Sequence, residues 1–564
     1  MGNLIARYWP QFVVLAVAVV LWAPRLTGPI DLRWDAGVYY LLGTSLATGH
    51  GYRILSEPGS PEALQYPPLL PAVVAAHEWA LGTTSPHVVA PWLRKLYFVI
   101  FVAYALAVLA LAKRHLRPWF ALAAAALCLL QIMTIFLSDL LFAELPFALV
   151  SVLFVLVAAS GLPPSRPWLH EAAAFALAAA GFLLRTAGVA LFAAWVIEAL
   201  ARRRWRLALA RGGLALVPIA LWQAHVERVR TSDEYVHPAY EYQRAPYQTY
   251  NVSYGENIFL LDPFQPERGL ADRRALVTRL VTNFAKMPAA LGEAVSTNYI
   301  HWRNFLRDGQ HRLLGKTVIP IGFAWLPIFG LAMLVVGGLV IFLRCDNWTL
   351  ASLVVLSIAL ICLTPWPEQF GRYLMPMTPF LTVAAVLTLE RSEAALRVWG
   401  SVRAIALGRA ALAGLLVLTV AAQTHAALWL CGERARAEGA TFVPRGSSAG
   451  ARFFYHDHGW RAWEQAATWI DAHAAPGEIV ATIAPHEFYL WTGLRAVYPP
   501  MDANAERARH LLEAVPVSHV IVDGFPPYFS RRYALPAVKG DPLGWHFVQS
   551  FNGTQIYARS TGRP

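Results

Sequence analysis

Trp34-Asp35-Ala36-Gly37-Val38-Tyr39-Tyr40 follows the first apolar segment of the chain, and Gln65-Tyr66-Pro67-Pro68-Leu69-Leu70-Pro71 follows later in the same outward stretch. A carboxylate at the mouth of a membrane helix is costly to hold beside lipid, so Asp35 is a functional candidate by default. The competing reading is a solvated loop aspartate. Which one holds depends on whether the segment ahead of it crosses a bilayer, and the rest of the chain bears on that.

The chain has 564 residues, of which 57% are hydrophobic and only 15% charged. With a mean hydropathy of +0.43, this composition excludes an ordinary soluble enzyme and fits a polytopic membrane protein. The net charge of +12 is not gathered into one basic run. It falls in short clusters between apolar segments, such as Lys113-Arg114-His115-Leu116-Arg117, Arg202-Arg203-Arg204-Trp205-Arg206 and the spread Arg391, Arg397, Arg403 and Arg409. That is the pattern of cytoplasmic loops under the positive-inside rule, and it argues against nucleic acid as a partner. Cys128, Cys345, Cys362 and Cys431 have no metal-ligand spacing and imply no disulfide framework. The first apolar segment could pass for a signal peptide, but Trp22-Ala23-Pro24-Arg25 is a poor cleavage site, so it reads as a retained span.

Apolar segments long enough, or nearly so, to cross a bilayer lie near 10–27, 91–112, 118–137, 142–160, 171–185, 187–201, 207–223, 317–343, 348–365, 373–390 and 410–430. The expected fold is therefore a polytopic α-helical membrane protein of about eleven transmembrane helices over residues 1–430. The pair 171–185 and 187–201 is open between two short helices and one bent one. With the N-terminus inside, eleven crossings put every basic cluster inside and the C-terminus outside. Segment 68–81 would spoil that parity, but it is short and carries His77 and Glu78, so it reads as interfacial or re-entrant. The first outward loop, 28–90, then holds two interfacial helices, one after Asp35 and one after Tyr66-Pro67-Pro68.

Two hydrophilic regions remain. Residues 225–316 read as a large outward loop with Tyr235, Tyr240, Tyr242, Tyr247, Tyr250 and Tyr254 close together, a lid or binding loop or a partly ordered surface. Residues 431–564 read as a separate soluble α/β domain. Its helices are expected at 463–474 and 505–514. Its strands are expected at Glu478-Ile-Val-Ala-Thr-Ile, His519-Val-Ile-Val-Asp, Trp545 to Phe551 and Thr554 to Arg559.

A second acidic pair, Asp139 and Glu144, falls outside at the junction of the third and fourth spans. Five residues apart, the two cannot share one face of a regular helix, but a turn between them could converge both. Glu144 alone could also be helix-start charge favoured by the dipole. Arg372, in Glu368-Gln369-Phe370-Gly371-Arg372-Tyr373-Leu374-Met375-Pro376, lies outside at a helix start, against the positive-inside trend. Phosphate binding is a good reason for it, since guanidinium matches phosphate oxygens. Arg185 and Arg53 are further outward cations, each open to the alternative of snorkelling to headgroups. His456-Asp457-His458 offers two ligands of a metal site without a third. Asn251-Val252-Ser253, Asn347-Trp348-Thr349 and Asn552-Gly553-Thr554 match the glycosylation sequon. The excess of arginine over lysine and the abundance of alanine point to a bacterial source, where such sequons are idle.

The Asp35 motif, Gly51-Tyr52-Arg53, the Tyr66-Pro67-Pro68-Leu69 turn and the Arg372-Tyr373-Leu374-x-Pro376 loop together resemble the lipid-dependent glycosyltransferases of the GT-C superfamily. Protein O-mannosyltransferases and the lipid A aminoarabinose transferase are the best-known members of that group. The resemblance implies an enzyme that moves a hexose or pentose from a polyprenyl-phosphate donor to an acceptor hydroxyl or phosphate, with inversion. It implies transfer on the periplasmic face of a bacterial inner membrane. It implies Asp35 as base, with Asp139 or Glu144 as the second acid of the second outward loop. It implies Arg372, Tyr373, Arg185 and Arg53 about the donor phosphate, and Tyr39 and Tyr66 against substrate. The acceptor is open between a glycolipid, a polysaccharide and a protein. No cofactor is demanded, and a divalent metal ion stays open. The chain departs from the mannosyltransferase pattern at Ala36, where an Asp-Glu pair would have its glutamate, and it lacks a histidine before Pro67-Pro68. The competing class is a multi-span transporter of a lipid-linked or small anionic substrate. That class calls for two related halves with charge at mid-membrane, and neither is visible here. A non-enzymatic scaffold or sensor would need no outward acids and arginines at helix mouths.

Overall fold

Backbone polar groups inside a bilayer must be satisfied within their own segment, so each apolar stretch is driven to helix. The computed structural model describes residues 2–26, 28–158, 167–399, 402–436 and 458–560. All eleven segments are helical in it: Gly2–Trp22, Pro86–His115, the pair Pro118–Leu130 and Ile132–Ser138, Glu144–Ala158, Pro167–Leu184, Val189–Ala201, Trp205–Arg230, Trp325–Arg344, Trp348–Leu363, Thr378–Trp399 and Val402–Arg436. Among the described residues, six candidate spans are long and apolar enough to cross a membrane, seven if the pair 118–138, bent by 54°, is one span. The protein is thus a multi-pass membrane protein. The count of eleven crossings goes further than these lengths do, because four of the segments form apolar helices of 10–17 residues. The bend in the third segment has a local cause. Gln131 leaves the helical region and its side chain accepts the Thr134 N–H at 2.9 Å, restarting the helix.

Segment 171–201 is two helices, not one bent helix. The turn at Thr186–Gly188 folds the chain back so that Phe182 and Phe192 pack at 6.3 Å and Phe175 and Trp195 at 6.2 Å. Only glycine fits at 188, because a Cβ there would strike the backbone of Gly181 and Phe182.

The loop 28–90 holds the two expected short helices, Asp35–Ala47 and Leu69–Leu81. They pack closely where Gly43 meets Val74. The second region departs from expectation. Only 231–272 is loop-like, with the short helices Asp233–Val236 and Tyr254–Ile258. Beyond it stand two full helices, Arg273–Val295 and Tyr299–Leu314, capped by Asp272 and Asn298. Met287, Ala290, Leu291, Ala294 and Val295 of the first are buried, while Val277, Val281 and Phe284 are exposed. Apolar side chains thus lie on both faces of this helix, and its charged start at Arg273-Arg274 lowers the apolar content of the stretch.

The tail carries a mixed five-stranded sheet: β1 (Ile479–Ala481), β2 (Ala496–Val497), β3 (Val517–Val522), β4 (Trp545–Phe551) and β5 (Thr554–Arg559), in the order β2-β1-β3-β5-β4. β1 runs parallel to β2 and β3, and β5 antiparallel to β3 and β4. The expected helices appear as His458–His473 and Ala505–Ala514. The helix Pro485–Thr492, between β1 and β2, was not anticipated, and it proves to face the membrane part. His456 and Asp457 lie outside the described residues, as does the side chain of His458.

Candidate active site

Main-chain pairing brings the two acidic loops together. Asp31 donates its N–H to the Asp139 carbonyl at 3.0 Å and accepts from Leu141 N–H at 3.1 Å. This places Asp35, the first residue of its helix, near Glu144, the first residue of Glu144–Ala158. Both carboxylates sit at helix N-termini, where the dipole favours negative charge. Arg372, in the short helix Phe370–Leu374, lies between them. Its Nη2 pairs with Asp35 Oδ2 and its Nε with Glu144 Oε1, while Arg185 Nη1 pairs with the same Glu144 oxygen. The Arg372 guanidinium lies over the Phe142 ring at 4.3 Å. Glu144 Oε2 is buried with no hydrogen-bond partner among the described residues.

Tyr250, from the tyrosine-rich region, donates its hydroxyl to Asp35 Oδ1 at 2.9 Å. Burial alone would push the Asp35 carboxyl up. The Arg372 charge and hydrogen bonds from Arg372, Tyr250 and Tyr66 outweigh it and hold the group below the usual carboxylate range. The rings of Tyr39 and Tyr66 are 4.7 Å apart, and those of Tyr66 and Tyr250 5.9 Å.

A cavity of about 940 Å³ opens here, bordered by Asp35, Tyr39, Tyr66, Arg185, Arg372 and Tyr373. Phe147, Val189, Leu360 and Leu363 give it an apolar flank in the membrane part, and the tail roofs it with Trp460, His486, Glu487, Tyr498 and Phe525. Its size and lining are those of a ligand pocket, apolar with a few convergent polar groups.

Not every expected residue arrives. Asp139 does not border the cavity: it is buried, ion-paired with Arg25 at 2.9 Å and Arg94 at 3.1 Å. Of the pair left open in the sequence, Glu144 is the one that meets the arginines. Arg53 is also elsewhere, bonded to Glu234 at 2.8 Å and to the Ser60 carbonyl at 2.9 Å. Among the described residues, no three His, Cys, Asp or Glu side chains gather as metal ligands would.

The tail also contributes to the site, through residues that no sequence motif marks. Glu487 accepts the Trp34 N–H at 2.5 Å, and His486 Nδ1 lies 2.8 Å from Ser56 Oγ. Burial pushes the Glu487 carboxyl up to about 8 and the His486 imidazole down to about 3. Glu57 of the first loop is likewise buried, accepting from Tyr240 at 2.7 Å and Asn251 at 2.9 Å, which ties the tyrosine-rich segment down beside Tyr250. Nothing in the motif around Pro485-His486-Glu487 signals such a role. Only the clustering of tyrosines hinted at Tyr250.

No protein-family model matches this chain, and no curated protein matches it. Solved structures do match in fold. One is the archaeal oligosaccharyltransferase AglB from Archaeoglobus fulgidus, in complex with an inhibitory peptide and a dolichol-phosphate. The match has 14% identity and a TM-score of 0.53, over 99% of this chain and 75% of that one. Another is ArnT from Cupriavidus metallidurans bound to undecaprenyl phosphate, at 13% identity and a TM-score of 0.50, over 97% of both chains. The apo form of ArnT gives 13% identity and a TM-score of 0.54, over 98% of both. The chain has the fold of the GT-C glycosyltransferases, the group its motifs resemble.

Proposed function

We propose that this protein transfers a sugar from a polyprenyl-phosphate donor to an acceptor oxygen, on the periplasmic face of a bacterial inner membrane. The observation that carries the reading is the direct pairing of Asp35 with Arg372 at the border of a cavity with an apolar membrane flank. The lipid phosphates in the related structures support the donor class.

In this reading residues 1–430 are the membrane-embedded catalytic part and 431–564 the periplasmic roof. The N-terminus is cytoplasmic, with the basic clusters inside. Arg372 and Arg185 take the donor phosphate. Because the monoanionic phosphodiester of the donor competes with Asp35 and Glu144 for the same guanidinium groups, donor binding loosens the Asp35–Arg372 pair. Asp35 is then free to accept the proton of the acceptor hydroxyl. The acceptor oxygen attacks the anomeric carbon from the face opposite the phosphate, and the carbon–oxygen bond to phosphate breaks. Polyprenyl phosphate leaves with the bonding electrons, its growing charge held by Arg372 and Arg185, and the configuration inverts. Glu144 keeps both arginines in place and is the second acid. Tyr373, under Arg185 at 5.9 Å, steadies that side of the phosphate site.

The experiment is sugar transfer from a panel of polyprenyl-phosphate hexoses and pentoses by the purified protein in nanodiscs. Binding and turnover of one donor is expected, and failure to bind any would overturn the reading. Topology is tested separately: a reporter after Pro564 should be active only outside the cytoplasm, and one at Arg204 only inside.

A further inference from the structure

From Ile30 to Gly43 every residue but one is buried, and the exception is Trp34, which keeps 40% of its surface exposed at the border of the cavity. Its ring packs tilted against Phe136 at 6.2 Å and Phe142 at 6.5 Å, and the remainder stands open beside the paired carboxylate. Trp34 also holds φ at +58°, a region that bulky side chains rarely adopt and that persists only when the surroundings impose it. Here they do. Glu487 of the tail accepts its N–H, Arg33 sits over its ring at 4.5 Å, and Trp460 of the tail packs edge-on at 6.4 Å. Arg33 is itself fixed by Asp31 at 2.8 Å.

The charge of the cavity adds a second constraint. Among its described lining residues, Arg185 and Arg372 are the only lysine or arginine side chains, and both lie on the side of Glu144 and Asp35. The tail's part of the lining is aromatic or uncharged apart from His486 and Glu487. With its imidazole lowered to about 3, His486 is neutral at physiological pH. An acceptor bearing phosphate would bring a second anion into a cavity whose two cations are taken by the donor, and a buried anion without a partner is strongly disfavoured. A sugar ring brings no charge. It offers weakly positive C–H faces to an indole, whose face is negative, and hydroxyls to nearby Gln248, Thr249 and Tyr498.

We infer that Trp34 is the platform on which the acceptor stacks, and that the acceptor is a hydroxyl of a neutral carbohydrate and not a phosphate. This rests on the glycosyltransferase reading above. The transfer step is unchanged: the stacked sugar's hydroxyl loses its proton to Asp35, its oxygen bonds to the donor's anomeric carbon, and polyprenyl phosphate departs.

The test uses the full-length protein in nanodiscs with the labelled polyprenyl-phosphate sugar that it binds. Envelope glycans of the source cell, split by anion exchange into neutral and phosphorylated fractions, are offered beside a serine- and threonine-rich peptide. Label should enter the neutral fraction. Trp34→Ala should raise the KM for that fraction ~10-fold or more, with a smaller change in kcat, and Trp34→Phe should restore most of the loss because it keeps an aromatic face. Labelling chiefly of the phosphorylated fraction or the peptide overturns the inference and leaves glycosyl transfer standing. So does an acceptor KM that is unmoved in Trp34→Ala. Failure to bind any donor removes the reading beneath it.

Discussion

Two cages of buried carboxylate and guanidinium lie on the same side of the bundle, and they have opposite character. In one, Asp139 is held between Arg25 and Arg94, away from the cavity. In the other, Arg372 bridges Asp35 and Glu144 and Arg185 pairs with Glu144, beside the cavity that Asp35 and both arginines line. Both contain residues that a charge-based reading of the sequence would flag equally. What separates them is access. A closed cage stabilises the joint between Gly2–Trp22, Pro86–His115 and the second acidic loop. A cage beside a cavity can exchange one of its carboxylates for an incoming anion. Buried ion pairs are weak evidence for stability and weak evidence for function until their surroundings are known.

The contrast can be broken by substitution. The largest effect is expected for Arg372→Ala, which should lower transfer by about 1000-fold, as loss of a main charge-stabilising donor does. Arg372→Lys keeps the charge but loses the fork and should retain part of the activity. A defect mainly in kcat would mean that the contact tightens as the phosphate departs. An Arg372→Ala protein that binds donor and turns over like the parent would reduce the arginine to a headgroup anchor.

Asp35→Asn should follow, with transfer reduced ~100-fold or more and donor binding retained, the size expected for loss of a general base. Near-normal turnover in that variant would remove Asp35 from the mechanism.

Asp139→Asn should behave in the opposite way. It leaves Arg25 and Arg94 without their carboxylate, so stability should fall by about 3–5 kcal/mol, read as a lower melting temperature in detergent. The folded fraction should keep its donor and acceptor KM values. A large kinetic defect at unchanged stability would erase the distinction between the two cages.

The smallest effect concerns the roof. The Glu487 carboxyl rises from the usual 4.5 to about 8 through burial, so the folded chain keeps a proton that the unfolded chain releases. Its contribution to stability is therefore fully present below pH 4.5 and is lost as the pH rises towards 8. Glu487→Gln keeps an acceptor for the Trp34 N–H and removes the titration. Between those pH values the parent should lose melting temperature relative to the variant, and parallel profiles would show that Glu487 does not hold the proton.

Much of this molecule was legible in its residues. The apolar segments, the interfacial helices after Asp35 and Tyr66, and four of the five strands follow from local rules: the cost of leaving backbone polar groups unpaired in lipid, and periodicity in the tail. Arg372 was legible because an arginine at the mouth of an apolar helix, outside the basic clusters, calls for a partner. The helices Arg273–Val295 and Tyr299–Leu314 were not, because the charged and polar residues spread along them look like loop when averaged along the chain.

What the chain decided alone, then, was where the apolar helices form, that they belong to a membrane, and which charges stand at their ends, since each of these is set by the transfer energy of a local stretch. The tertiary structure decided which charges meet. Arg372 reaches Glu144 across 228 residues and Asp35 across 337, Glu487 reaches Trp34 across 453, and Asp139, five residues from Glu144, turns instead to Arg25. No local energy distinguishes those partners. They are fixed by the packing of distant helices and by the docking of the tail, which together choose the carboxylates that border the cavity and those that stay sealed away from it.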